Sequence, residues 1–302
     1  MVKNRHRLNA VVIRRTKADA CAQDGSPLFV RRMVHTEAFR LSEDERYFYN
    51  ALQDYLRDGY NLAAQLGNKG RALGFVMTIF QKIAASSFAA IRSTLQRRLL
   101  MLTIQESIEK DELLDVDGRN RVLEEAKNII HDIYILPYDS VGNAQADQIL
   151  ADTKLQLLRT RNAVQSFVNT AESFSDSEIA AGASEESAGT LVTLALPEER
   201  MRIKDLLSQF PEGVESKTRM LINALNAIWN QNPNEKAVVF ATYLGTVNTI
   251  REQLEKAFPG LVVEVLKGGD HGAKTAAQKR FRRKDGPKIL VCTAAGREGI
   301  NL

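Results

Sequence analysis

The residues best suited to chemistry gather at the C-terminal end of the sequence, in Lys288-Ile289-Leu290-Val291-Cys292-Thr293-Ala294-Ala295-Gly296-Arg297-Glu298-Gly299-Ile300-Asn301-Leu302. Ile289 to Cys292 is apolar, β-branched and too short for a helix, so it reads as a buried strand. The strand ends at Thr293 and passes into a loop with Gly296 and Gly299. Small residues there let the backbone come close to a ligand, and the carboxyl end of a strand is where open α/β sheets hold one. A second stretch, Gly268-Gly269-Asp270-His271-Gly272-Ala273-Lys274-Thr275, comes near the spacing of a phosphate-cradling loop. Ala273 separates its glycine from its lysine, so it is not assigned that role. No Gly-x-Gly-x-x-Gly joins a first strand to its helix, which disfavours a dinucleotide-binding domain. Cys21 and Cys292 lie far apart and the four histidines are scattered, so no metal site is expected.

The elements that must position the glycine turn begin at Glu215. Lys217 to Asn230 is amphipathic, with Leu221, Leu225 and Ile228 on one face. Strand Ala237–Thr242, helix Thr246–Phe258, strand Leu261–Leu266, helix Ala273–Arg283 and strand Lys288–Thr293 follow. Strands alternating with helices of this length predict right-handed βαβ units and a parallel sheet.

The rest of the chain is mostly helical in pattern. Val11-Val12-Ile13-Arg14-Arg15-Thr16-Lys17 is a strand-like run ending in a basic cluster, Asp24-Gly25 marks a turn, and Leu28 to Leu41 reads as extended. Ser42 starts a helix, with Glu43, Asp44 and Glu45 in the first turn and Glu45 closing a capping box. Gly59 is the expected stop. From Arg71 to about Glu112, Phe75, Ile79, Ile83, Phe88, Ile91, Leu95, Leu99 and Leu102 recur at threes and fours. Arg92, Arg97 and Arg98 on that pattern read as a solvated face. Helices are expected over 120–136 and 144–171, separated by Pro137 and Gly142, and another from Pro197 to near Phe210-Pro211. Residues 172–190 are acidic and rich in Ser, Ala and Gly, which predicts a flexible linker.

The chain has 302 residues, 44% hydrophobic and 26% charged, and no apolar run of membrane-spanning length. Two distant cysteines suit a reducing compartment, and a cytoplasmic location is expected. The net charge of +4 permits nucleic-acid binding without requiring it.

The block from Glu215 resembles the C-terminal RecA-like lobe of superfamily-two helicases, and specifically the Swi/Snf-related ATPases of the bacterial RapA type. Glu215-Ser216-Lys217 resembles the opening of the lobe's first helix, and Val238-Val239-Phe240-Ala241-Thr242-Tyr243 resembles motif four. Leu266-Lys267-Gly268-Gly269 with Gln278-Lys279-Arg280-Phe281 resembles the segment that follows. Thr293 to Leu302 resembles motif five. Upstream, Ile13-Arg14-Arg15-Thr16-Lys17 resembles the junction where the first lobe ends. Phe80-Gln81-Lys82, Ser86-Ser87 and Thr94-Leu95-Gln96-Arg97-Arg98 resemble a helix pair of the same branch.

The resemblance implies a fold of the α/β class: the end of lobe one and a connector over 1–40, a helical insertion over 41–171, a linker over 172–196 and the RecA-like lobe over 197–302. It implies an ATP-dependent, DNA-stimulated translocase or helicase that remodels protein–nucleic acid complexes, with ATP and Mg2+ as cofactors and duplex DNA as partner. Thr242, Tyr243, Lys267, Gly268, Gly269, Thr293 and Arg297 would contact nucleic acid, while Glu298, Gly299 and Asn301 would face the nucleotide. Without the resemblance, Tyr243 reads as an ordinary packed aromatic and Lys279, Arg280, Arg282, Arg283 and Lys284 as a solvated face. Neither a Walker A loop nor an acidic magnesium motif is found. Motif six and its arginine finger would follow Leu302. The expectation is therefore an excerpt or truncated product of a longer motor, without the N-terminal RecA-like lobe, with no ATP turnover of its own and weak, salt-sensitive nucleic-acid binding. The competing expectation is a non-catalytic binding or regulatory module with one degenerate RecA-like lobe.

Overall fold

The structure, a computed structural model, describes residues 26, 34–109, 115–160, 195–266 and 271–293. The chain divides into two compact units, Met1–Phe39 and Arg40–Leu302. In the first, residues 34–39 carry no regular element. The basic cluster at Arg14-Arg15, the turn at Asp24-Gly25 and the linker at 172–190 lie outside the described residues.

The second unit begins with helices. In α1 (Glu43–Gln65), Ser42 Oγ accepts the Glu45 N–H at 3.2 Å and Glu45 Oε2 accepts the Ser42 N–H at 2.7 Å, the capping box expected from sequence. Gly59 does not stop this helix. It is buried within it, and a Cβ there would lie 2.4 Å from Met77 Sδ. The glycine admits a neighbouring side chain, so close packing overrides its weak helix propensity.

The single helical pattern from Arg71 is two helices, α2 (Arg71–Ser86) and α3 (Phe88–Glu109), broken at Ser87. Ser87 is extended (φ −161°, ψ 153°), and its Oγ accepts the Ala90 N–H at 3.1 Å. A serine in this conformation caps the next helix, and that ends the preceding one. α3 is buried nearly all round, including the run Leu99-Leu100-Met101-Leu102, and it packs against α2, α4 (Val116–Tyr134), α6 (Glu199–Ser208) and α8 (Leu244–Ala257). A helix apolar on every side belongs inside a bundle. α5 (Ser140–Thr160) pairs with α4. Gly142, expected between helices, lies in the first turn of α5. A Cβ there would meet the Pro137 carbonyl oxygen at 1.8 Å.

Arg98 is not on a solvated face. It is fully buried, and its Nε donates to Glu199 Oε1 at 2.5 Å and a terminal nitrogen to Oε2 at 3.1 Å. The Tyr55 hydroxyl donates to Oε1 at 2.6 Å and the Leu196 N–H to Oε2 at 2.8 Å. A buried charge persists only when paired and hydrogen-bonded, and this carboxylate accepts four bonds. Burial, and next the Glu199 charge, push the Tyr55 phenol well above its ordinary value. Glu199 opens α6, whose Ile203 and Leu206 enter the helical core, so this helix packs with the bundle and not with the sheet.

The remaining elements form an α/β lobe: α7 (Ser216–Gln231), β1 (Ala237–Phe240), α8, β2 (Val263–Leu266), α9 (His271–Arg282) and β3 (Ile289–Cys292). All three strands are parallel, in the order β1-β3-β2. The chain moves two places from β1 to β2 and one place back to β3. Crossovers of one hand in opposite directions put α8 and α9 on opposite faces. Ile289 and Val291 pack with Leu225, Val247, Ile250 and Leu254 of α7 and α8, whereas Leu290 and Cys292 pack with Ala277 and Phe281 of α9. A central strand buried on both faces reads in sequence as an unbroken apolar run. Burial also raises the Cys292 thiol to about 11, in keeping with a structural strand residue. The architecture is thus a mostly helical N-terminal region followed by a small parallel sheet of RecA-like type.

Candidate functional site

Parallel pairing in this register sets Phe240, Cys292 and Leu266 level with one another. The ladder extends past the strands: the Ala241 N–H donates to Cys292 O at 2.9 Å and the Thr293 N–H to Leu266 O at 3.0 Å. All three strands therefore open at one sheet edge. Thr242 and Thr293 both lie just beyond their strands at that edge. Lys267, Gly268, Gly269, Arg297, Glu298, Gly299 and Asn301 lie outside the described residues.

Thr242 is half-buried and lines a cleft of about 580 Å³. Thr293 is 6% exposed, and its Oγ1 is buried with no hydrogen-bond partner among the described residues. Tyr243, expected along a nucleic-acid backbone, is instead 5% exposed, with its ring in the helical core. Its apolar ring gains more from that core than from water. Of the basic residues around the end of α9, Arg280 pairs with Glu264 at 2.7 Å and Arg283 with Asp285 at 3.0 Å; both arginines are exposed.

The cleft lies where the helical bundle meets the lobe. One wall comes from Lys82, Ala85, Ser86 and Ser87 at the α2–α3 break, and another from Glu215, Lys217, Thr218 and Leu221 at the start of α7. The third runs from Val239 through Thr246 to Ile250. Polar bonds stitch these walls together. Thr246 Oγ1 shares hydrogen bonds with Ser86 Oγ at 2.9 Å and Ser87 Oγ at 3.0 Å. Lys217 Nζ donates to Ala85 O at 2.9 Å and Ser86 O at 3.1 Å, covering the last carbonyls of α2, where a cation suits the helix dipole.

Two carboxyls face this seam in different states. Glu45 caps a second helix besides its own, accepting the Ser216 N–H at 2.6 Å and the Ser216 hydroxyl at 2.5 Å. Burial opposes its ionisation, but the bonds from Ser216 and Ser42 outweigh it and hold the carboxyl below its ordinary value. Among the described residues, Glu215 Oε1 accepts the Phe88 N–H, at 3.2 Å, and Oε2 is buried with no hydrogen-bond partner. Burial raises this carboxyl to about 7, with Glu45 adding to the rise and the Phe88 N–H and Lys217 opposing it.

Sequence reasoning reached Glu215 only as part of an acid-Ser-Lys opening, and it missed the hydroxyl group of Ser86, Ser87 and Thr246. The signal available was the Ser86-Ser87 pair at the end of an apolar helical run, a capping pattern in the middle of an apparent helix. Among the described residues, no group of three or more His, Cys, Asp or Glu could hold a metal ion. No described helix is long and apolar enough to cross a membrane.

No curated protein and no solved structure matches the chain. The family model described as the helicase conserved C-terminal domain matches residues 216–302, from the first residue of α7 through all three strands. The sheet-bearing end of the chain is thus similar to a helicase C-terminal domain.

Proposed function

We propose that this lobe serves an ATP-dependent, DNA-stimulated translocase of the Swi/Snf-related type, which remodels protein–nucleic acid complexes. The observation that carries the reading is the placement of Thr242 and Thr293 just past adjacent strands at the carboxyl end of a parallel sheet, within the segment that matches the helicase domain. In this reading Thr242 and Thr293, with Lys267, Gly268, Gly269 and Arg297, hold duplex phosphates through hydroxyls, amides and cations, which fix register without reading bases. The buried Thr293 hydroxyl supports it: an unsatisfied hydroxyl costs about 1–3 kcal/mol, and a phosphate oxygen would satisfy it. Glu298, Gly299 and Asn301 face a nucleotide held by a partner lobe. Bound ATP supplies the phosphoryl group whose transfer to water drives the cycle. The lobe contributes position and charge to that step.

The test is ATP hydrolysis by the full gene product with and without duplex DNA. Stimulation that Thr293→Val abolishes supports the reading. Hydrolysis indifferent to DNA overturns it, and no hydrolysis with or without DNA favours the competing reading, a binding module that performs no phosphoryl transfer.

A further inference from the structure

The loop from β1 to α8 is three residues long, Ala241 to Tyr243, and it is pinned on each side. The Ala241 N–H is fixed to Cys292 O, and the Tyr243 ring is fixed in the helical core. One turn on, Thr246 Oγ1 is bonded to both serines at the α2–α3 break. Thr242 lies between these anchors, so its position is set as much by the helical bundle as by the sheet. Glu215 closes the arrangement: its Oε1 takes the first N–H of α3, Phe88, while its own chain leads directly into α7 of the lobe.

We propose that Glu215, together with Thr246 and the serine pair Ser86 and Ser87, is a positioning device through which the helical bundle sets the lobe's grip on a phosphate backbone at Thr242. The proposal rests on the reading of Thr242 as a backbone contact and adds that the bundle takes part in it. The buried, unpartnered Oε2 makes the device responsive to protons. A neutral Glu215 carboxyl costs less in the seam than an ionised one, which leaves a buried charge beside the Glu45 carboxylate. The other titratable groups on these walls are Lys82 of α2, Lys217 of α7 and the Tyr243 phenol. Lys217 is the cation that opposes the rise, and its ammonium is already engaged by the Ala85 and Ser86 carbonyls. Among the described residues, the α2–α3 break gives this wall Ser86 and Ser87, and α8 gives it Thr246, Thr249 and Ile250.

The experiment uses the full chain, its Glu215→Gln variant and its Thr246→Val variant. Two quantities are followed from about pH 6 to about pH 8, the interval in which a carboxyl raised to this extent titrates. One is amide hydrogen exchange in the segments 84–92 and 241–250, corrected for the intrinsic rate at each pH. The other is affinity for a fluorescent DNA duplex at fixed salt. In the wild type both seam protection and duplex affinity fall as pH rises, roughly threefold to tenfold. In Glu215→Gln both stay flat, and Thr246→Val weakens affinity at every pH while keeping the step. A flat wild-type profile, or a step that survives in Glu215→Gln, overturns the positioning role even where DNA binds. A seam step accompanied by no duplex binding in any protein overturns the nucleic-acid reading, and the coupling with it.

Discussion

Glu199→Ala is the perturbation whose cost the structure defines best. The substitution leaves Arg98 as a fully buried guanidinium with its carboxylate gone, and it removes the acceptor of the Tyr55 hydroxyl and the Leu196 N–H. Removing one partner of a buried ion pair costs about 3–5 kcal/mol, because the remaining charge is stranded away from water. That is a large part of the ~5–15 kcal/mol that holds an ordinary domain folded. The loss belongs to α6 and the core helix α3, which the fully buried Glu199–Arg98 pair joins; Arg200 and Glu106 form a second, less buried ion pair between the same helices. The assay is urea denaturation followed by far-UV circular dichroism, with Arg57→Ala as control. Arg57 pairs with Asp54 on the exposed surface, and its loss should cost no more than about 1 kcal/mol. The combined variant Arg98→Met, Glu199→Leu, Tyr55→Phe, which replaces the buried polar group by apolar side chains, should recover most of the stability. If Glu199→Ala costs no more than Arg57→Ala, or the combined variant is no better than Glu199→Ala alone, the assigned role of the pair is wrong.

Three further outcomes follow from the same structure. Glu215 is raised in the folded chain from an ordinary 4.5 to about 7, so its contribution to stability is fully present below the lower value and is lost as pH rises through the upper one. Glu215→Gln should flatten that part of the stability-versus-pH curve, as read by thermal melts; an unchanged slope would refute the assignment. Gly59→Val should destabilise by about 1–3 kcal/mol through overpacking against Met77, and a variant as stable as wild type in chemical denaturation would refute the close approach. In a Cys21→Ser background, Cys292 should react with a thiol reagent only after denaturant is added, because burial keeps the thiol protonated; rapid labelling of the native chain would contradict its burial.

What could be read from sequence was what local chemistry decides. The Ser42–Glu45 capping box joins residues three apart, and it appears as expected. The strands of the lobe were legible because a central parallel strand needs apolar residues on both faces, which leaves short unbroken runs such as Ile289 to Cys292. Arg98 was not legible, because its partner lies 101 residues away and Tyr55 joins that partner across 144. In sequence it is one arginine among several on a helix, and only the fold separates it from exposed Arg92. Gly59 and Ser87 were misjudged for a related reason: a glycine or serine in an apolar periodic run has several possible roles, and the neighbours packed against it choose between them. Of the candidate site, the resemblance pointed to Thr242 and Thr293, but not to their common sheet edge or its bundle-facing side. Tyr243, Thr246, Ser86, Ser87 and Glu215 come together only through tertiary packing.

The central claim is that the edge carrying Thr242 and Thr293 grips a phosphate backbone, and a salt titration of duplex binding tests it most directly. Phosphate neutralisation releases condensed counterions, so the logarithm of the binding constant should fall linearly as the logarithm of salt concentration rises. Thr242→Ala should lower affinity by a similar factor for duplexes of unrelated sequence. Binding that ignores salt, or that Thr242→Ala weakens for one sequence only, would contradict the account.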